Sequence, residues 1–263
     1  MKVDTHCHLD LSVFAEDIDE VLCRATQAGV SECIIPAIDP AHWQKQFTLA
    51  RTYPHIRFTL GFHPYFLSPL LAKYAVDQLI SQLDQTIQET LTGQLKTQFI
   101  GVGEIGVDRA IELDIKIQET MFVEQLGLAK QYHLPVIVHH RKSHDRLLGL
   151  IKQSGFTGGG IIHAFSGNAL VAQAYIELGF KLGIGGTITY PRGSKTREAL
   201  LAVGLEHCVL ETDSPDMPMY GRQGQRNEPA FITDVVTVLA DLFGVEESVV
   251  EALTTQNTRS VFA

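Results

Sequence analysis

Short, almost uniformly apolar runs recur along the chain, and longer stretches with apolar residues three and four apart separate them. The runs are Lys2–Leu9, Glu32–Ile38, Ile56–Pro64, Gln98–Gly106, Leu134–His140, Gly159–Phe165, Phe180–Gly186 and His207–Asp213. Near-continuous Val/Ile/Leu character marks strands buried on both faces. The intervening stretches predict helices over Asp17–Ala28, Ala41–Tyr53, Val76–Leu91, Asp114–Tyr132, His144–Lys152, Ala169–Leu178, Lys195–Val203 and Pro229–Leu242. In the fourth of these, Phe122, Leu126 and Ala129 step by four and then three, the spacing of one helix face. Strands alternating with helices predict an α/β fold, a (β/α)8 TIM-type barrel; an open doubly wound sheet is the runner-up. The 263 residues suit one such barrel, whose usual length is about 250 residues. No composition shift or linker divides the chain, so residues 1–263 read as a single domain.

In a barrel of this kind the active site is built at the C-terminal ends of the strands. The first run ends on His6 and His8, which a period of two places on one face together with Asp4. Others end on His63, on Glu104, on His139-His140-Arg141, on His163, and on Glu211 and Asp213. Six of these, His6, His8, Glu104, His139, His163 and Asp213, are candidate metal ligands. So many ionisable groups converging on one mouth call for a divalent cation as compensation. Imidazole plus carboxylate without a thiolate cluster suits zinc, manganese or iron, or magnesium with fewer histidines. Glu104 is the candidate to bridge two ions, with His6, His8 and Asp213 on one and His139 and His163 on the other. Only one of His139 and His140 can face the mouth. His139 shares its phase with Arg141, an anion-binding guanidinium, and is the expected one. Cys7 falls on the face opposite His6 and His8 and is expected to pack rather than ligate.

Composition adds limits. The net charge of −9 argues against a broad nucleic-acid groove or an anionic membrane as partner. The four cysteines form no CxxC and no leader precedes Val3, so reduced thiols and a cytoplasmic location are expected. No apolar run nears the ~20 residues of a membrane helix, and nothing calls for an obligate protein partner. Gly101–Gly106 matches GxGxxG but lies within a strand signal, away from any helix start, which excludes dinucleotide binding. The glycine-rich segment Gly183–Arg197 reads as a solvated loop in which Arg192, Lys195 and Arg197 are candidates for a phosphate contact.

The motifs DTHCHLD, GFHP, GEIGVD, LPVIVHHR, HAFSG and ETDSP, in order from Asp4 to Pro215, resemble the TatD family of metal-dependent deoxyribonucleases, within the amidohydrolase-like barrels. The segment GGTITYPRGSKTR is similar to the YjjV-like branch of that family. The resemblance implies two divalent ions (Mg²⁺, Mn²⁺ or Zn²⁺) held by His6, His8, Glu104, His139, His163 and Asp213. It implies that Asp213 and Glu104 are catalytic, that His63 and Arg141 contact substrate phosphate, and that metal-activated water cuts nucleic-acid ends, 3'-5' exonuclease fashion. Arg109 stands where an aromatic is common in the family, and Tyr65 where histidine is common. Two rivals remain: an amidohydrolase-type enzyme acting on a small amide or lactone, and a non-enzymatic metal-binding protein.

Overall fold

The computed structural model describes residues 1–263. Its strands are β1 (Lys2–Asp4), β2 (Val30–Ile35), β3 (Ile56–Leu60), β4 (Phe99–Asp108), β5 (Val136–Arg141), β6 (Gly160–Ile162), β7 (Phe180–Ile184) and β8 (Cys208–Leu210). They form one 8-stranded sheet in chain order, and the β1–β2, β3–β4, β4–β5 and β7–β8 pairs are parallel. Beyond β1 the chain continues along β8: Thr5 N–H donates to Leu210 O at 2.9 Å and Asp213 N–H to His6 O at 2.8 Å. A sequential parallel sheet whose first strand bonds both the second and the last is a (β/α)8 barrel of TIM type.

The chain forms two compact units, Met1–Ile35 with Ile161–Ala263, and Pro36–Gly160. In the second unit Phe58, Leu60, Leu83, Ile87, Phe122 and Leu126 are fully buried, so the strand and helix patterns meet in one apolar layer. Its helices begin where capping chemistry allows. Asp39 accepts from His42 N–H with Pro40 in the first turn, and Asp114 accepts from Lys116 N–H. The GxGxxG segment lies wholly within β4, as its phase requires. Gly106 sits where an added Cβ would come within 2.0 Å of His139 O. Only glycine lets β4 and β5 approach this closely beside a site histidine.

The first unit holds a helix that the hydropathy period does not announce, Glu247–Val261. Its inward face carries Val250, Thr254, Asn257 and Thr258, and three of these are polar. They are satisfied locally: Asn257 Nδ2 donates to Leu205 O at 3.1 Å and Cys208 O at 2.7 Å, and Thr254 and Thr258 hydroxyls donate one turn back. The same helix presents Glu251 to Lys2 Nζ at 2.6 Å, where the Lys2 side chain is 8% exposed. Burial works to raise the Glu251 carboxyl, but hydrogen bonds from Lys2 and the amino terminus outweigh it and leave the group below its usual value. A depressed carboxylate stabilises the fold fully above its unfolded value, near 4.5, and loses that contribution as pH falls through the lower folded value. Glu251→Gln is therefore expected to cost about 2 kcal/mol in urea unfolding at pH 7, with the difference from wild type vanishing at acid pH. A cost that is the same at pH 7 and pH 3 would exclude the ion pair as its source.

Candidate metal centre

In the first unit, three ligand-bearing atoms meet. His6 Nε2 and His8 Nε2 lie 3.2 Å apart, and each is 3.6 Å from Asp213 Oδ1. His6 and His8 alternate past Cys7, whose thiol turns away toward Ile34 O, as the two-residue period demands. His163, arriving after β6, stacks on His6 with ring centroids 3.4 Å apart and an interplanar angle of 17°. Its Nε2 is 3.7 Å from Asp213 Oδ1. Stacked rings at that separation resist both being charged at once. Neutral imidazole nitrogens around a carboxylate oxygen are the donor set that zinc, manganese and iron accept, so these residues fit a divalent cation.

Buried partners hold this group in place. Asp4, expected on the ligand face, accepts from His6 N–H at 3.2 Å and Thr212 N–H at 3.0 Å, and its Oδ2 takes the Thr212 hydroxyl at 2.6 Å. Complete burial pushes its carboxyl up to about 8 despite these bonds. Glu211 is buried beside His163, with Oε1 3.1 Å from Nδ1, and accepts Ala164 N–H at 2.6 Å. An added Cβ on Gly183 would come within 2.2 Å of Glu211 Oε2, so glycine makes the room for this carboxylate. A carboxylate on the far nitrogen of a ligating imidazole fixes its tautomer and orientation. Asp213 itself adopts φ +59, a left-handed conformation that Asp and Asn tolerate better than other side chains.

In the second unit, His139 Nδ1 lies 3.1 Å from Glu104 Oε1 and its Nε2 3.2 Å from Asp108 Oδ2. His140 instead stacks near His144, with centroids 4.1 Å apart, so His139 is the member of the pair that meets the carboxylates. A ring between two carboxylates calls for positive charge there, either its own proton or a cation. Burial works to raise Asp108, but His139, the Ala110 N–H and the charge of Arg141 outweigh it and hold the carboxyl below its usual range. His63 Nε2 lies 3.4 Å from Glu104 Oε1. Its Nδ1 accepts Tyr65 N–H at 3.1 Å, so in the neutral ring the proton sits on Nε2. That tautomer makes His63 a donor rather than a metal ligand. Arg141 ends β5 in register with Asp108 and is exposed, and its backbone N–H is fixed by the Ser143 hydroxyl at 3.2 Å. Arg109 is engaged by Asp145, with two 3.0 Å bonds.

Residues 3–263 match the family model described as TatD related DNase. The chain belongs to the TatD family. TatD-family members act as hydrolases on ester bonds. The metal-dependent hydrolase YjjV of Escherichia coli K12 is 40% identical over 241 residues, covering 91% of this chain and 89% of YjjV. The crystal structure of E. coli YjjV, a TatD homologue, superimposes with a TM-score of 0.90 at 38% identity over 99% of this chain and 97% of that one. The 3'-5' ssDNA/RNA exonuclease TatD of Escherichia fergusonii is 29% identical, covering 98% of both chains. Besides Asp4 and His63, two further residues stand against candidate ligands: Asp108 beside His139 and Glu211 beside His163. Both had a signal in the sequence. Asp108 follows Glu104 by four and Glu211 precedes Asp213 by two, so each shares the phase of a candidate ligand.

Proposed function

We propose that this TatD-family protein is a metal-dependent phosphodiesterase that removes nucleotides from the ends of single-stranded nucleic acid. The observation that carries the reading is the convergence of His6 Nε2, His8 Nε2 and Asp213 Oδ1. Two divalent ions, Mg²⁺, Mn²⁺ or Zn²⁺, complete the enzyme. His6, His8 and Asp213 hold one, Glu104 and His139 hold the other, and His163 is a further ligand. When bound, such ions supply the Lewis acidity that polarises a phosphoryl oxygen and makes water a nucleophile at neutral pH.

The chain's own groups do the rest. Asp213 accepts the proton of the attacking water, and its left-handed backbone aims the carboxylate at His6 and His8. Glu211 keeps His163 in one orientation. His63 donates through Nε2 to a phosphate oxygen, with its tautomer set by Tyr65 N–H. Arg141 offers its guanidinium to the same phosphate, where negative charge grows as the bond breaks. Glu104 and Asp108 hold His139 between them. The 3'-5' direction of the TatD exonuclease of E. fergusonii is the polarity proposed here.

A chain with net charge −9 has few cations to spend on a strand. About two or three phosphate contacts at about −0.7 each predict a slope of log K against log salt near −2. The Asp213→Asn variant, titrated with oligothymidylate across a salt series, is expected to show that shallow dependence. Wild type is expected to degrade linear single strands and spare circular ones. Cutting of the circle, or a slope several times steeper, would mean an open groove instead of an end-binding site. Cleavage of a lactone or amide with none of a phosphodiester would overturn the nuclease reading.

A further inference from the structure

The loops after β7 and β8 carry a feature that the metal chemistry does not use. From Gly185 to Arg197 the chain has Arg192, Lys195 and Arg197 and no carboxylate. Arg197 turns inward: it donates to Ile188 O at 2.6 Å, Tyr190 O at 2.8 Å and Pro191 O at 3.1 Å. It therefore braces the loop and leaves Arg192 and Lys195 as the cations that face solvent. The braced loop is sewn to the one after β8. The Tyr190 hydroxyl donates to Pro218 O at 2.8 Å, and Tyr220 N–H donates to the Thr189 hydroxyl at 2.8 Å.

The stitching fixes two aromatic rings. Tyr190 and Tyr220 meet edge to face, 5.6 Å between centroids at 75°, and the Arg192 guanidinium lies 4.9 Å over the Tyr190 ring. Tyr220 is nonetheless 58% exposed. A tyrosine held at both its backbone and its ring edge, with much of its surface still in water, is ready to stack with little further loss of freedom. A flat ring that carries its own negative charge suits such a surface, because the solvent-facing Arg192 lies over the adjoining Tyr190 ring. A nucleobase joined to a phosphodiester has both properties. Tyr220 follows Asp213 by seven residues, a span of at most about 25 Å even if fully extended. The turn closed by Asp216 N–H on Asp213 O at 2.9 Å shortens that path. The ring thus lies within a few nucleotides of the proposed cleavage point.

We propose that Tyr220, buttressed by Tyr190 with Arg192 over the Tyr190 ring, is a stacking subsite for an unpaired base of the substrate strand. The subsite rests on the nuclease reading above and adds a reason for selectivity: a base in a duplex is already stacked and unavailable. Because every base has a π-face, the subsite tolerates sequence and selects strandedness.

The test compares wild type, Y220A, Y220F and Y220W on oligothymidylate and on bis(p-nitrophenyl) phosphate. Y220A is expected to raise KM for the oligonucleotide about tenfold with kcat and bis(p-nitrophenyl) phosphate hydrolysis unchanged. Y220F and Y220W are expected to stay within about twofold of wild type. In metal-free protein, the fluorescence of an oligonucleotide bearing 2-aminopurine near its end should be quenched by wild type and Y220F and not by Y220A. Hydrolysis of the oligonucleotide by Y220A with wild-type KM and quenching would overturn the subsite alone. Wild-type hydrolysis of bis(p-nitrophenyl) phosphate without hydrolysis or quenching of the oligonucleotide would overturn the nucleic-acid reading and the subsite with it. Hydrolysis of neither substrate by the metal-loaded wild type would overturn the phosphodiesterase reading itself.

Discussion

Asp213→Asn is expected to lower kcat by about 10²–10⁴, the range that general-base catalysis contributes, while the protein stays folded. Asparagine has the size of aspartate and tolerates the left-handed region, so the φ of +59 at this position is kept. What is lost is the ability to take a proton and to balance a cation beside His6 and His8. Alanine would be a poorer test, because it adds about 1–2 kcal/mol of backbone strain to the chemical loss. Steady-state kinetics on oligothymidylate, with urea unfolding alongside, separate the two effects. A variant with turnover within a few-fold of wild type would remove Asp213 from the mechanism.

Stripping divalent ions with a chelator, followed by its removal, is expected to abolish hydrolysis and to lower the melting temperature. A ligand at 100 times its Kd stabilises the folded state by about 2.7 kcal/mol. For a chain of this size that corresponds to a shift of several degrees. Mg²⁺, Mn²⁺ or Zn²⁺ should restore both properties, and elemental analysis of protein purified without chelator should find two ions per chain. Full activity in protein shown to be metal-free would refute the metal reading, whatever the melting curve does.

The fold was legible because its strands announce themselves: Val136–Val138 is apolar on both faces, Phe58 and Leu60 are apolar on one, and the helices between the strands keep a three-four step. The candidate site was legible because ligands sit at strand ends, where phase alone groups His6 with His8. The choice between His139 and His140 needed Arg141 as a marker of the face, and the structure brings His139 to the carboxylates. The Glu247–Val261 helix stayed hidden because its inward face is threonine and asparagine, whose burial depends on carbonyl partners that no hydropathy pattern records. Asp108 was missed because the strand signal fades at Gly106, while β4 runs on to residue 108. The bracing role of Arg197 was invisible for a different reason. The glycines made Gly183–Arg197 read as a loop with a phosphate contact, whereas Arg197 lies in the helix Ser194–Val203 and its acceptors are backbone carbonyls.

One of the two compact units joins residues 1–35 to residues 161–263. The carboxylate of Asp4 is satisfied by Thr212, 208 residues away in sequence. During synthesis on the ribosome, the intervening Pro36–Gly160 unit emerges complete before Thr212 and Asp213 are even made. His6 and His8 must wait for nearly the whole translation of the chain before Asp213 exists to join them. A ribosome stalled before the eighth strand is made therefore carries a chain that lacks Asp213, the residue proposed to take the proton of the attacking water.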